Sequence, residues 1–144
     1  MKIDLGPAQL SRRWIDQASE RLVAYKRASR LHSDRDLELY KLELEDRFGQ
    51  IPGEDEESSR FFELLKVRIR AQALAVNEVS TEKGRLKVRV SPQTPLDPVK
   101  LMAWVSRQKG AQFNPDGTVL IPAPAPGADT ILQAQELLAA WALL

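Results

Sequence analysis

Arg85, Lys87 and Arg89 alternate with Leu86, Val88 and Val90. In a strand that period sends the three cations to one face, where they could track a phosphate backbone. No aromatic residue is interleaved with them, although surfaces that hold single-stranded nucleic acid stack bases on aromatic rings. A solvated strand face is therefore the simpler reading, and a nucleic-acid contact through Arg85, Lys87 and Arg89 the alternative. His32 is the only histidine and cysteine is absent. Thiolate and multi-histidine metal sites are excluded, and a Ser-His-Asp triad would rest on one residue beside a helix cap, so no catalytic and no metal-binding residue is assigned. His32 reads as the surface of a turn. Glu43 and Asp46 form a carboxylate pair at helical spacing, which implies no acid–base chemistry without a pocket. Neither GxxxxGK[ST] nor GxGxxG occurs, so the backbone cradles for nucleotide phosphates are missing. The expectation is a chain with no cofactor that hydrolyses no ATP by itself.

The candidates for a contact role lie on the stretch SDRDLELYKLELEDRFG, Ser33 to Gly49. Ser33 is placed to cap a helix, Asp36 stands where a capping-box acid would, and Gly49 with Pro52 beyond it stops the helix. At about 100° per residue, Leu37, Tyr40, Leu44 and Phe48 share one face and Leu39 and Leu42 lie nearly opposite. Such a helix needs two apolar neighbours. Glu38 and Glu45 fall on one polar edge and Glu43 on the other, with Arg47 at i+4. Glu43 and Arg47 are the candidate contact with another domain, and the rival account is an ordinary intrahelical ion pair.

Residues 1–15 read as a linker or arm, because MKIDLGPAQ carries a Gly-Pro pair and little periodicity. From Leu10 the residues Trp14, Ala18, Leu22, Tyr25 and Leu31 recur at helical spacing, which predicts a first helix starting between Ala8 and Asp16. The acids of GQIPGEDEESS gather at the start of a third helix, where they oppose its dipole. That helix runs through Phe61, Phe62, Leu65, Ile69 and Ala73. Near Val76 the period becomes alternating, and VNEVS, TEKG, RLKVRV reads as strand, turn, strand. Asp97 and Pro98 open another helix, with Val99, Met102 and Val105 as its stripe and Leu101 and Trp104 beside it. Two short strands flank Pro115-Asp116-Gly117, and Asp129 caps a last helix through Ile131, Leu138 and Trp141. The fold class is α+β: a three-helix segment (16–75) followed by a ββαββα unit (76–144) with a four-stranded antiparallel sheet covered by helices. The balance of 21 basic and 20 acidic residues gives no global pull towards nucleic acid. No apolar run approaches the ~20 residues of a membrane span, so no membrane contact is expected.

RLVAYKRAS (Arg21–Ser29), ELYKLELEDRFGQIP (Glu38–Pro52) and LLKVRIRAQALAV (Leu64–Val76), in this order and spacing, resemble the C-terminal domain of the bacterial transcription-repair coupling factor family. The resemblance is firm over Asp16 to Val76 and looser to the end. LSRRWIDQ replaces the family's proline-containing segment, the acidic loop before Phe61 is longer, and Ala75 stands where the family commonly has glycine. The resemblance implies a cytoplasmic, monomeric regulatory domain, 16–144, of an ATP-dependent DNA translocase. Its partners would be other domains of the same polypeptide. It would pack on an N-terminal module related to the excision-repair helicase subunit and mask recruitment of the damage-recognition ATPase. RNA polymerase and DNA would bind elsewhere in the parent.

Overall fold

The computed structural model describes residues 1–144. In chain order its elements are β1 (Lys2–Asp4), α1 (Ala18–Ala28), α2 (Asp34–Phe48), α3 (Glu56–Ala73), β2 (Val76–Glu82), β3 (Arg85–Val90), α4 (Pro98–Ser106), β4 (Gln112–Phe113), β5 (Thr118–Pro122) and α5 (Thr130–Trp141). They form two compact units, residues 6–69 and residues 1–5 with 70–144. The α+β class stands.

In the helical unit, α2 follows its sequence signals closely. Ser33 Oγ accepts from Asp36 N at 3.0 Å, and the Asp36 carboxylate accepts in return from His32 N at 3.1 Å, a reciprocal cap shifted outward by one residue. Gly49 takes φ 85 and ψ 176, a mirror-extended conformation that a side chain would strain. Leu37, Tyr40 and Leu44 are buried. They join Phe62, whose ring centroid lies 5.9 Å from that of Trp14, 6.1 Å from Tyr40 and 5.7 Å from Phe61.

The start of the chain differs from the expected arm. Leu10, Trp14 and Ile15 belong to the helical core, yet none lies on a helix, because α1 begins only at Ala18. Trp14 is fixed instead by its indole N–H, which donates to Gly49 O at 2.8 Å. The apolar stripe assigned to α1 is corrected in part: Ala18 and Leu22 are exposed, Tyr25 and Leu31 do pack against the core, and the small residues Ala24 and Ala28 face inward. Close approach by a neighbouring helix favours alanine there.

Asp55 was one acid among several in the sequence; in the structure it is the N-cap of α3. Its Oδ1 accepts from Ser58 N at 3.0 Å and its Oδ2 from Ser11 Oγ at 2.5 Å, while Ser58 Oγ accepts from Ser11 N at 3.0 Å. Ser11, Asp55 and Ser58 are all buried. The network ties the stretch before α1 to the first turn of α3.

In the second unit the sheet has five strands, in the order β1-β2-β3-β5-β4, rather than four. The added strand, β1, pairs parallel with β2, Lys2 opposite Glu78 and Asp4 opposite Ser80, so the first residues are part of the sheet and not a linker. All other pairs are antiparallel. Lys83 and Gly84 both have positive φ, 52 and 78, the pattern of a two-residue type I′ hairpin. Leu86, Val88 and Val90 are buried as their alternation requires. Asp97 and Asp129 each accept two backbone N–H groups at the starts of α4 and α5. On α4 the buried residues are Leu101 and Val105, whereas Val99 and Met102, assigned to its stripe, are exposed. On α5, Ile131, Leu138 and Trp141 are buried.

Ala75 has φ 52, so this chain holds an alanine in the left-handed region. That conformation costs a residue with a Cβ about 1–2 kcal/mol, and glycine's greater freedom when unfolded takes back about 0.4–1 kcal/mol. Ala75→Gly is therefore expected to stabilise the chain by about 0.5–1 kcal/mol, seen as a higher urea midpoint at unchanged slope.

Candidate partner-binding surface

Glu43 and Arg47 both turn towards α1, but not to each other. Glu43 pairs with Arg27, whose guanidinium also lies over the Tyr40 ring at 5.5 Å. Arg47 Nη2 reaches Glu20 Oε2 at 3.0 Å and its guanidinium carbon lies 5.3 Å from the Phe48 ring centroid. The intrahelical pair is thus replaced by two ion pairs between helices. With most of these side chains well exposed, each contributes about 0.2–1 kcal/mol. Beneath them Tyr40 is buried and donates to Ala24 O at 2.7 Å. Burial pushes its phenol well above the ordinary range, with the nearby Arg27 charge opposing, so it remains a neutral donor.

The second apolar face of α2 has no neighbour in this chain. Leu39 and Leu42 are 50% and 62% exposed. At helical spacing Leu42, Asp46, Leu39 and Glu43 span an arc of about 100°, facing away from Leu37, Tyr40 and Leu44. Asp46 is exposed and makes no ion pair. The sequence held the signal: an acid within an apolar arc does not suit an intramolecular core.

His32 is exposed, and only its backbone N–H is engaged, by Asp36. The three strand cations lie on one face as their period requires, but that face carries acids as well. Lys87 Nζ is 3.7 Å from Glu78 and 3.8 Å from Glu82, and Arg89 Nη2 is 3.5 Å from Glu78. Arg85 stands opposite Glu82 in the ladder. Glu78 is buried, and a 2.7 Å hydrogen bond from Ser80 Oγ is the main reason its carboxyl lies below the usual range; burial opposes this, and Lys87, Arg89 and Lys2 add to it. The face is half-buried and close to neutral rather than a solvated cationic row. No group of three or more His, Cys, Asp or Glu side chains could hold a metal ion, and no helix is long and apolar enough to cross a membrane.

Comparison with known proteins bears on the family and the fold. Residues 6–101 match the TRCF domain family. A transcription-repair-coupling factor of Myxococcus xanthus is 33% identical over 135 residues, covering 92% of this chain and 11% of that protein, so the chain spans about a ninth of its relative's length. A crystal structure of the C-terminal domain of transcription-repair coupling factor superposes with a TM-score of 0.70 at 18% identity, over 97% of this chain and 91% of that one, which establishes the shared fold. The chain belongs to the transcription-repair coupling factor family and carries its C-terminal domain.

Proposed function

We propose that this chain, from β1 to α5, acts as a non-catalytic regulatory domain of a longer cytoplasmic, monomeric polypeptide whose motor is an ATP-driven DNA translocase. The domain is an intramolecular lid: α2 packs on the N-terminal excision-repair-like module and masks the surface that recruits the damage-recognition ATPase. RNA polymerase and DNA engage other parts of the parent.

The observation that carries this reading is the outward arc of α2, where two exposed leucines flank the unpaired Asp46 beside Glu43. An apolar pair next to carboxylates suits a partner with a basic patch bordered by apolar surface. Glu43 is the chosen contact residue, with Arg47 one turn further along. In the full-length parent, Glu43→Arg is expected to increase capture of the damage-recognition ATPase. Loss of the Arg27 pair lowers this domain's stability by at most about 1 kcal/mol. Capture unchanged in a folded variant would remove Glu43 from the interface.

Nucleic-acid binding through Arg85, Lys87 and Arg89 is the lesser reading, because Glu78 and Glu82 already meet Lys87 and Arg89. A salt-dependent shift of labelled DNA, lost when all three become alanine, would reverse that order.

A further inference from the structure

We infer that the depression beside the start of α1 is a binding site for a phosphate group, distinct from the α2 surface. It encloses about 540 Å³ and is lined by Arg12, Arg13, Arg21, Tyr25, Gln9 and Glu57, together with Leu10 and Ser11.

Two of its donors, Arg21 and Tyr25, are held in place before any ligand arrives. Arg21 Nη1 donates to Ile15 O at 2.7 Å and Asp16 O at 2.8 Å, which anchors the guanidinium and leaves Nε and Nη2 without a partner. The Tyr25 hydroxyl accepts from Leu10 N at 2.9 Å, so its own proton is free to donate. The Tyr25 ring is fixed edge-on to Phe61 at 5.3 Å. The backbone carrying Arg12 is held by the same Leu10 bond and by Ser11 N donating to Ser58 Oγ. Arg12 makes no hydrogen bond or ion pair, and Arg13 uses only Nη2, towards Glu54 at 3.3 Å.

Three arginines face a single lining carboxylate, Glu57, so the depression favours an anion. A planar carboxylate is satisfied by one guanidinium fork. Here the unspent donors come from three side chains at separate points of the wall, an arrangement that suits a tetrahedral oxyanion. The phosphate could be free or a monoester, or part of a phosphodiester backbone; the chemistry is shared.

The test is titration of the 144-residue chain with inorganic phosphate and, separately, with a phosphodiester dinucleotide, at fixed ionic strength. The Leu10 amide and the Arg21 Nε–H are followed by NMR, with acetate as control. Saturable shifts of both signals are expected with at least one phosphate probe, and the probe that binds more tightly identifies the source. Arg12→Gln, at an exposed position without a partner, is expected to weaken binding about tenfold, the order of one charge-assisted hydrogen bond. Tyr25→Phe, which keeps the ring packing, is expected to weaken it as well. Shifts that never saturate, or that acetate reproduces, overturn the proposal. So does saturation of wild-type strength in both variants.

Discussion

Val88→Asp is expected to destabilise the chain by about 4 kcal/mol or more. Val88 is fully buried between its ladder partners Val79 and Val119, themselves fully buried, so a carboxylate there would meet only apolar neighbours. The control is the adjacent Lys87 on the other face, and the structure dictates its form. Lys87→Asp would set a third carboxylate beside Glu78 and Glu82; Lys87→Gln removes the charge without adding repulsion and is expected to cost about 1 kcal/mol. Urea unfolding separates the two. Equal midpoints would mean that the register of β3 is wrong.

The second large effect concerns Asp55. Asp55→Ala removes the cap of α3 and strands two buried donors, Ser58 N–H and Ser11 Oγ–H. The expected loss is about 2–4 kcal/mol, combining a cap with unsatisfied buried groups. A pH dependence comes with it. Burial alone would raise this carboxyl, but the hydrogen bonds from Ser11 and Ser58, with the charge of Arg13, outweigh burial and hold it below its ordinary value of 3.8. A carboxyl depressed by folding stabilises the folded state above its unfolded pKa, and that contribution disappears as pH falls through the lower folded value. The wild type is thus expected to lose stability from about pH 5 downward. Asp55→Asn, which keeps an acceptor for Ser58 N, is expected to lose less over the same range. Thermal melts at neutral and acid pH measure both; an equal loss in the two proteins would show that Asp55 contributes nothing to the acid transition.

Local signals were legible in this sequence and distant ones were not. Ser33, Asp97 and Asp129 announce helix starts because a cap is satisfied within three residues, and Leu86, Val88 and Val90 announce a strand face because its period is two. Asp55 looks like its acidic neighbours until Ser11, far away in sequence, closes on it. Trp14 fits a helical stripe by spacing, while its position is set by Gly49 O. The partners of Glu43 and Arg47 lie on α1, so helical spacing alone pointed to each other instead. Val99 and Met102 share α4 with Leu101, and a short helix with apolar residues all round does not say which side is covered. The outward arc of α2 was legible as a demand for a second neighbour and as an acid, Asp46, set within an apolar arc, and Leu39 and Leu42 remain exposed.

The three-residue strand β1 has a bearing on the order in which the chain assembles. Its partner β2 follows the entire helical unit, so this edge of the sheet is completed by residues that lie on the far side of that unit in the chain. A contact of such long sequence separation bears a loop-closure cost before it contributes anything, unlike the hairpin of β2 and β3, which forms across Lys83 and Gly84. Until β1 docks, the outer edge of β2 presents unpaired backbone groups on which a strand from another molecule could settle. Self-association during refolding, rather than loss of the native state, is the hazard that this short strand closes off.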